Sequence, residues 1–587
     1  MKADYDLIIV GSGVAGALCA WKLSTLGKYR ILILEAGHNG IGQGQRLEFH
    51  HVMDRQGSRG DMFAPYLELQ SRKTVPSPEK AARSLEASRT DEKYFDYLPK
   101  EQYNGDSFRA GYNRLVGGST WSWRGNTPRF LASDFALKST YDTKGARDWP
   151  ISYDDIEKFY CEAEAELGVS GNHEELNGLF GTRRSKAFPM AGIPLTYSDT
   201  LVKELIHGKT VLGTQVKVVT TPQARNSAPY DGRPACEGHS NCIPLCPIQA
   251  KYDATLHLRR VLANPLVQLK SGAVVTRVSA DADGCITHVH FKDWLSDDPL
   301  KERMLTAPVI VLAAHAIETP KILLMSKLAD SRGVANSSDQ VGRNLTDHIQ
   351  WEVAAEFAKP VYPFRGPQSV TGIDSFRDGP FRKTRSGFRM TIGNDGWGRA
   401  GSPAKVLDEL LVKKEYGPDL MRKVADRITK MIRLSYSTEM LPHPENRVEL
   451  SSNVDDVLGL PRPRIQFSVD EYSRGGLAAG LETALALFKL MGVAKIEETS
   501  LLDKNGNLNW NTAAHIMGTC IMGSDPTDSV VDKWGRTHDH HNLYIAGSSV
   551  FTTGATANPT LTLAALALRT AQAIHKQLKR GSHAGKH

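Results

Sequence analysis

A strand, a glycine-rich turn, a helix and a second strand follow one another at the start of the sequence. The apolar run Leu7–Val10 predicts a buried parallel strand, and it leads into Gly11, Gly13 and Gly16 in the pattern GxGxxG. Glycines at these positions permit a tight turn, close approach of the backbone to a pyrophosphate, and close packing of helix against strand. Glu35 ends the second strand about 20 residues later, where a carboxylate can accept hydrogen bonds from ribose hydroxyls. The segment therefore predicts a βαβ unit that binds a dinucleotide, either FAD or NAD.

The end of the sequence carries a second element of this kind. Residues 542–571 predict a strand, a turn at Gly547, and a helix that begins near Pro559 and Thr560. The backbone N–H groups at the start of such a helix can face an electron-rich group, for example a flavin carbonyl. We therefore expect one nucleotide-binding domain that is built from both ends of the chain.

The length and charge of the chain restrict its class. At 587 residues it is too long for a single hydrophobic core. The net charge is +7, but the basic residues are scattered rather than gathered into a stripe, so we expect no nucleic-acid partner. The segment MKADYDLIIVGSG lacks the features of an export signal, and no run of 18 apolar residues occurs. We therefore expect the chain to meet a membrane only through its partners.

Five motifs occur in order along the chain. They are GSGVAG near the start, RLVGGSTWSW at 114–123, VLAAHAIETPKILLMS at 311–326, VGRNLTDH at 341–348, and the C-terminal segment from residue 542. In kind and order they resemble those of the glucose–methanol–choline flavin oxidoreductases. Within that family the chain is most similar to the catalytic subunits of bacterial sugar dehydrogenases of the gluconate, 2-ketogluconate, fructose, glucose and glucoside type. The resemblance runs the length of the chain and implies FAD rather than NAD.

The resemblance also implies a fold class and a division into domains. The expected fold is α/β, with a Rossmann-like FAD-binding domain and a discontinuous α+β substrate-binding domain that carries an antiparallel sheet. Residues 1–40, 225–348 and 511–587 are expected to form the FAD-binding domain, and the last of these also carries the catalytic residues. Residues 41–224 would supply the flavin-contacting loop and the substrate cap, and residues 349–510 the substrate-binding domain.

Several further positions are assigned to FAD by the resemblance alone. It implies that Gly117, Gly118 and Ser119 pass close to the flavin ring, and paired glycines suit a backbone that lies against a flat ligand. It implies that Val275 contacts the adenine. The C-terminal segment is expected to contribute Gly547, Ser548, Pro559 and Thr560.

Oxidation of an alcohol requires a base for the hydroxyl proton and an acceptor for the hydride. Histidine titrates near neutrality and can serve as that base without a large change in its pKa. The resemblance places the catalytic histidine at His515 and its partner at Asn558. The amide of Asn558 can hydrogen-bond the substrate oxygen without competing for the proton.

Three positions differ from what is common in the family. Ser548 stands where many members carry aspartate, His315 where asparagine is common, and Ser122 where a histidine often separates two tryptophans. These differences lie around the expected flavin and sugar pocket. The sequence therefore does not determine which sugar is the substrate or which of its carbons is oxidised. Nearby aromatic and polar residues are candidates for the sugar pocket, although the tryptophans fit the core equally well. They are Trp121, Trp123, Arg124 and Asn126.

Three of the seven cysteines lie in one segment, RPACEGHSNCIPLCPIQA at 233–250. Cys236, Cys242 and Cys246 have the spacing C-x5-C-x3-C, and a proline follows the last of them, as in iron–sulfur binding sequences. The resemblance implies a 3Fe–4S cluster on these three thiolates. Zinc held by the three thiolates and His239, or a loop of free thiols, remain as alternatives.

Together with these residues, the resemblance implies an FAD-dependent dehydrogenase that oxidises a hydroxyl of a sugar, sugar acid, polyol or glucoside by hydride transfer to flavin N5. Its electrons would leave through the cluster to a cytochrome or another acceptor. The resemblance implies a small subunit with an export signal and a multihaem cytochrome c subunit. The complex would lie at the periplasmic face of the inner membrane, and the chain would stay cytoplasmic without its partner. The alternatives are an oxidase that uses oxygen, with zinc in the cysteine segment, and a flavin-binding protein without enzymatic activity.

Overall fold

The computed structural model describes residues 3–37, 103–105, 108, 111–239, 242–243, 246–327, 332–393, 403–456, 458–497 and 499–584. The part of the predicted substrate cap at 41–102 lies outside these ranges. So do residues 240–241 and 244–245 of the cysteine segment.

The strands of these residues, numbered in chain order, are β1 Leu7–Val10, β2 Ile31–Glu35, β3 Tyr103–Gly105, β4 Thr210–Val211, β5 Thr214–Gln215, β6 Val218–Thr220, β7 Val267–Ser271, β8 Ala273–Ala280, β9 Ile286–Asp293, β10 Glu302–Leu305, β11 Ile310–Leu312, β12 Ile349–Glu356, β13 Thr371–Ile373, β14 Phe388–Gly393, β15 Met431–Thr438, β16 Arg447–Asp455, β17 Pro461–Phe467, β18 Lys495–Ile496, β19 Asn511–Thr512 and β20 Leu543–Ile545.

The helices are α1 Val14–Leu26, α2 Ala132–Phe135, α3 Leu137–Tyr141, α4 Tyr153–Leu167, α5 His173–Leu176, α6 Tyr197–Ile206, α7 Thr255–Leu262, α8 His315–Met325, α9 Pro403–Val412, α10 Asp419–Lys430, α11 Glu471–Met491 and α12 Thr560–Ala584. Short 3₁₀ turns lie at Gly118–Ser122, Leu179–Gly181, Pro380–Lys383 and Ser548–Val550. No helix of the described residues is both long enough and apolar enough to cross a membrane.

A parallel sheet with the strand order β20-β11-β1-β2-β7 carries the N-terminal βαβ unit. Its central strand β1 is apolar and fully buried, as the sequence predicts, because helices cover the sheet. Helices α1 and α12 pack against each other, and the Cys19 thiol on α1 donates to the Ala567 carbonyl oxygen on α12 at 3.3 Å. The five strands come from the start, the middle and the end of the chain. The exact limits of the predicted domains stay a prediction.

A seven-stranded sheet forms the second layer of the molecule. Its order is β18-β12-β15-β14-β13-β6, with β19 paired to β12, and all of these pairs are antiparallel. One face is apolar and packs against α11, where the Tyr436 hydroxyl donates to the Leu477 carbonyl oxygen at 2.8 Å. The helix lies so close that a Cβ at Gly480 would come within 2.2 Å of the Tyr436 ring. The predicted mixed fold, with one parallel and one antiparallel layer, is confirmed.

Smaller sheets extend these two layers. Strands β8, β9 and β10 form an antiparallel sheet between β7 and β11 in the chain, and β8 carries Val275. Strands β16 and β17 pair antiparallel, and β3 adds to β17 in parallel.

Candidate active site

A cavity of about 400 Å³ lies between the carboxyl ends of the parallel strands and the antiparallel sheet. Its size is typical of cofactor and small-molecule sites, and ligands of open α/β sheets bind at this edge. Most of the residues predicted from the sequence to bind the cofactor or to act in catalysis line this cavity: Gly11, Gly13, Glu35, Gly118, Ser119, Val275, His515, Gly547, Ser548, Asn558, Pro559 and Thr560.

The glycine-rich turn has the geometry that a pyrophosphate needs. Gly11 has φ +101°, and a Cβ there would lie 2.4 Å from the Ala313 carbonyl oxygen, so only glycine fits. A Cβ on Gly16 would lie 2.0 Å from the Gly11 carbonyl oxygen, which shows how closely α1 packs behind the turn. At Gly13 a Cβ would meet nothing within 4 Å, because that position faces the open cavity. The turn therefore fits a dinucleotide phosphate.

Glu35 is held in place at the end of β2. Its Oε2 accepts hydrogen bonds from the Ser12 N–H at 2.9 Å and the Ser12 hydroxyl at 2.6 Å, and its Oε1 accepts one from the Gly37 N–H at 2.8 Å. Burial raises the pKa of this carboxyl, while these hydrogen bonds and the nearby Arg114 oppose the change. The carboxylate is thus fixed in orientation at the cavity wall, where a ribose would lie.

The segment around Gly117 and Gly118 lies against the glycine-rich turn. The Gly117 N–H donates to the Ser12 hydroxyl oxygen at 3.2 Å, and a Cβ on Gly118 would lie 3.2 Å from the Gly13 Cα. Both glycines have positive φ, so this turn needs residues without a side chain. Ser119 opens directly onto the cavity.

The C-terminal segment closes the opposite side of the cavity. The Ser548 hydroxyl donates to the Ile516 carbonyl oxygen at 2.7 Å, and the Gly518 N–H donates to the Ser548 carbonyl oxygen at 3.0 Å. Helix α12 begins at Thr560, so its first N–H groups face the cavity together with Pro559. This geometry fits the predicted contact between a helix N-terminus and a flavin.

His515 and Asn558 meet at the cavity wall. The Asn558 Nδ2 lies 3.1 Å from the His515 Nε2. On its other side, the His515 Nδ1 lies 2.8 Å from the Nδ1 of His348. The sequence analysis paired His515 with Asn558 but assigned no role to His348.

The protonation states of His348 and His515 follow from the carbonyl oxygens that contact His348. The His348 Nε2 lies 2.9 Å and 3.0 Å from the carbonyl oxygens of Gly554 and Ala555, which can only accept, so this nitrogen carries the proton. Burial lowers the pKa of His348 to about 4, so the ring is neutral and its Nδ1 is an acceptor. The His515 Nδ1 must then donate to it, which leaves the His515 Nε2 without a proton and facing Asn558 and the cavity.

The His515 Nε2 is therefore free to accept a proton. Burial and the neighbouring His348 hold its pKa well below the usual value, so the imidazole is neutral near pH 7. Asp347 supports both histidines through the backbone, because its Oδ1 accepts from the N–H groups of His348 and His515 at 2.7 Å each. Burial raises the pKa of Asp347 to about 6, and hydrogen bonds from Thr512 and these N–H groups oppose the rise.

Polar side chains of the antiparallel sheet form the wall that faces this base. Cross-strand pairing sets Gln350 and Arg389 beside Ser437, and Thr391 beside Ser435. All five line the cavity, and they share one face of the sheet because paired residues and alternate residues point the same way. The Arg389 guanidinium also pairs with the carboxylate of Asp374 at 2.8 Å. A hydroxyl-rich wall of this kind was not predicted from the sequence.

The two tryptophans of the central motif have different positions. Trp121 is buried, and its indole N–H donates to the Val116 carbonyl oxygen at 2.9 Å. Trp123 lines the cavity together with Arg124 and Asn126, as expected for residues of a sugar pocket. Of the positions that differ from the family pattern, Ser122, His315 and Ser548 all line the cavity.

The cysteine segment reaches the same cavity. Ile243, which follows Cys242, lines it. The described residues of the segment form no disulfide. Burial raises the pKa of Cys236, while the positive charge of Arg225 opposes the rise.

His239 of this segment lies 3.2 Å from a carboxylate oxygen of Glu237. Within the described ranges, no group of three or more His, Cys, Asp or Glu side chains has the arrangement that holds a metal ion. The ligand set of the segment stays a prediction.

Two buried cations lie beside this segment, and neither was predicted from the sequence. Arg225 precedes the segment in the chain, with the guanidinium Nη1 3.2 Å from the Cys242 sulfur. Lys251 lies at its end, and its ammonium group donates to the carbonyl oxygens of Cys242, Trp121 and Trp123 at 2.6–2.7 Å. No sequence pattern marks them, because their positions depend on contacts between distant parts of the chain.

Comparisons with known proteins identify the family. Residues 5–350 and 442–567 match models described as GMC oxidoreductase. The chain is 37% identical to the fructose dehydrogenase large subunit of Gluconobacter japonicus, over 98% of each chain. It is 28% identical to the 6'''-hydroxyparomomycin C oxidase of Streptomyces lividus, over 99% of this chain and 93% of that one.

A solved structure, that of pyridoxine 4-oxidase from Mesorbium loti, has the same fold. It superposes with a TM-score of 0.60 at 18% identity, over 97% of this chain and 99% of that one. With the parallel and antiparallel layers, the glycine-rich turn and these matches over most of its length, this chain belongs to the GMC oxidoreductase family, whose members bind FAD.

Proposed function

We propose that the protein is an FAD-dependent dehydrogenase that oxidises a hydroxyl of a sugar, sugar acid, polyol or glucoside and passes electrons through a 3Fe–4S cluster to a cytochrome. The observation that carries the proposal is that the cysteine segment borders the cavity that holds the predicted base. Ile243 of that segment lines the same cavity as His515 and Asn558. An electron acceptor on the segment would therefore lie beside the site of oxidation.

FAD would be held by the glycine-rich turn at its pyrophosphate, by Glu35 at its ribose, and by the start of α12 near its ring. When bound, FAD supplies a hydride acceptor at N5. The residues of the chain must then orient the substrate carbon and remove the hydroxyl proton.

His515 would accept that proton at Nε2. This nitrogen bears a lone pair in the resting state, because the Nδ1 of His348 accepts a hydrogen bond from the His515 Nδ1 and so keeps the His515 proton on Nδ1. The Asn558 amide, 3.1 Å away, would donate to the substrate oxygen and hold it in reach of His515. His515 is partly exposed to the cavity, so a bound substrate would complete the exclusion of water from the base.

The polar wall of the sheet supports a substrate with several hydroxyl groups. Gln350, Thr391, Ser435 and Ser437 offer donors and acceptors across two neighbouring strand pairs. Trp123 and the positive Arg124 border the same space, which would suit the apolar face of a sugar ring or a sugar acid. The similarity to a fructose dehydrogenase large subunit supports the same substrate class.

The three cysteines would hold the cluster. A 3Fe–4S cluster requires three thiolates, which matches Cys236, Cys242 and Cys246, and Arg225 offsets the negative charge of such a set. When bound, the cluster accepts one electron at a time, which suits transfer from a two-electron donor to a haem.

The partners and the location are proposed from the relatives. The name of the Gluconobacter japonicus relative, a large subunit, implies a complex. We expect a small subunit that carries an export signal and a multihaem cytochrome c subunit, and a location at the periplasmic face of the inner membrane. Coexpression with the small subunit should move the protein to the periplasm, and a cytoplasmic location in its presence would contradict this.

An oxidase is the second candidate, because the Streptomyces lividus relative is named as one. In that case oxygen accepts the electrons, and zinc would occupy the cysteine segment.

Metal analysis together with low-temperature EPR separates the two candidates. The dehydrogenase should contain iron, flavin and an isotropic low-field signal that disappears after fructose or gluconate is added without oxygen. Zinc without iron, together with sugar-dependent consumption of oxygen, would overturn the proposal and favour the oxidase.

A further inference from the structure

Arg389 on β14 is a buried cation in the wall of the cavity. Its side chain is 5% exposed and lines the same cavity as His515. The guanidinium lies directly on the backbone of β13, where a Cβ on Gly372 would come within 2.1 Å of its Nη2. Glycine at 372 therefore makes room for this group, and the packing holds it at one position.

Two of the three guanidinium nitrogens of Arg389 bind other side chains. The Nε–H donates to the Asp374 Oδ1 at 2.8 Å, and the Nη2–H donates to the Thr221 hydroxyl oxygen at 2.7 Å. Among the described residues, the remaining nitrogen, Nη1, meets no hydrogen-bond acceptor. The first two contacts fix the plane of the guanidinium, and Nη1 keeps N–H groups for a ligand in the cavity.

The charges around Arg389 do not cancel. Two arginines share the carboxylate of Asp374, because its Oδ2 pairs with the Arg377 Nη1 at 2.9 Å. All three side chains are buried, and no other carboxylate in the described part of the chain pairs with either arginine. One positive charge therefore remains beside the cavity, where solvent screens it less than at the surface.

The arginine pair also borders the loop that carries the predicted catalytic asparagine. The Arg377 Nε–H donates to the Thr556 hydroxyl oxygen at 3.4 Å. Thr556 lines the cavity two residues before Asn558. The unbalanced charge therefore lies at the substrate side of the cavity.

Strand pairing sets the separation between Arg389 and the predicted base. Arg389 lies beside Ser437, and Ser437 beside Gln350, so this row spans two strand spacings, about 9–10 Å. Gln350 follows His348 by two residues, and His348 contacts His515. A molecule the size of a sugar acid can therefore contact Arg389 while one of its hydroxyls lies near His515.

We propose that Arg389 binds the carboxylate of a sugar acid and makes the acid a better substrate than its neutral counterpart. This inference rests on the proposed dehydrogenase function and narrows its substrate class. An N–H of a guanidinium makes a stronger hydrogen bond to a carboxylate than to a neutral hydroxyl. A neutral sugar can occupy the same space, but it gains only the weaker contact and leaves the positive charge unbalanced.

The test compares D-gluconate with D-glucitol, which carries a hydroxymethyl group in place of the carboxylate. Steady-state kinetics of the FAD-loaded, full-length protein with an artificial electron acceptor give kcat/KM for each. The wild type should favour gluconate about tenfold or more, as expected for a hydrogen bond to a charged group. Arg389→Gln should lower the ratio of the two kcat/KM values about 10–100-fold, mainly through KM for gluconate.

A binding measurement gives a readout that does not depend on turnover. The chemically reduced protein, kept without oxygen and acceptor, cannot oxidise the substrate, so calorimetric titration with gluconate gives Kd directly. Arg389→Gln should raise this Kd about 10–100-fold. An unchanged Kd would contradict a contact between Arg389 and the carboxylate.

Arg433→Gln is the matched control. Arg433 is also buried, lies on the neighbouring strand β15 and pairs with Glu352 at 2.8 Å, but it does not line the cavity. Its ratio of kcat/KM values should stay within about threefold of the wild type. An equal fall in this control and in Arg389→Gln would contradict a specific role, because a general disturbance of the sheet would explain both.

Arg389→Lys decides if Arg389→Gln does not fold. Lysine keeps the charge, but without a planar fork it cannot hold Asp374, Thr221 and a ligand together, so the ratio should fall about threefold or more. An unchanged ratio in this variant overturns the inference. So does a fall in Arg124→Gln while Arg389→Gln keeps the wild-type ratio, because Arg124 would then bind the acid.

The wild type separates failure of this inference from failure of the proposed function. If it oxidises glucitol or fructose and shows no preference for gluconate over glucitol, only the role of Arg389 is overturned. If it oxidises none of the three, the proposed function is defeated, and the inference with it.

Discussion

The two functional walls of the cavity hold charge in opposite ways. The wall at His515 and His348 is built from neutral rings whose pKa values burial lowers, the latter to about 4. The cysteine segment reaches the cavity through Ile243, and the buried cations beside it include Arg225 and Lys251, which donate to the Cys242 sulfur and to carbonyl oxygens. One region thus offers an unprotonated nitrogen for a proton, and the other offers positive charge that would stabilise a reduced electron acceptor.

If the proposed cluster occupies the cysteine segment, this difference would keep the proton and the electrons of the oxidation apart. A proton acceptor works best when it is neutral and close to the hydroxyl group. An electron acceptor works best when nearby positive charge stabilises its reduced form. If the two environments were mixed, a cation beside His515 would lower its basicity further. We therefore expect substitutions in one wall to leave the function of the other intact.

The largest effect should come from His515→Ala. Loss of the base should lower kcat for a sugar roughly 10²–10⁴-fold, while the flavin spectrum and the cluster potential stay as in the wild type. Steady-state kinetics with an artificial electron acceptor measure the loss. A variant that keeps more than a tenth of the wild-type kcat would show that the proton leaves by another route.

The next effect should come from His348→Leu. Without its Nδ1 acceptor, His515 can adopt the other tautomer, so kcat should fall roughly 10–100-fold, as when the orienting partner of a histidine is removed. His348→Gln keeps an acceptor and a donor in one side chain and should recover part of the loss. Equal kcat values for the leucine and glutamine variants would indicate that His348 acts only through packing.

Only part of this chemistry could be predicted from the sequence. The βαβ unit and His515 carry local signals, namely apolar runs, spaced glycines and a family motif. His348 lies in a quoted motif, VGRNLTDH, but its role depends on contact with a residue 167 positions away. Arg225 and the polar face of β12, β14 and β15 have no local signal at all, because strand pairing between distant segments creates them.

The polar wall should control substrate affinity more than rate. Ser437→Ala removes one hydroxyl, and one neutral hydrogen bond contributes about 0.5–1.5 kcal/mol. We expect KM for the preferred sugar to rise about 3–10-fold with a smaller change in kcat. A short diol, which cannot span the wall, serves as the control substrate and should show no change. A fall in kcat at constant KM would contradict a role in binding.

The smallest effect concerns pH. Because burial depresses the pKa of His515, its base form should persist as the pH falls through 6.5, the usual value for histidine. The acid limb of kcat/KM should therefore lie below pH 6.5 and remain absent between pH 6.5 and 8. A midpoint at or above 6.5 would show that His515 is exposed to solvent or that another group limits the rate.

The central claim is that electrons from the substrate pass through the flavin to the cysteine segment. Freeze-quenched EPR and stopped-flow absorbance, recorded together after anaerobic mixing with fructose, test it most directly. The account predicts that the flavin bleaches first and that the cluster signal then disappears in the same turnover, with both steps slowed in His515→Ala. Flavin that bleaches while the cluster signal stays unchanged would contradict the claim.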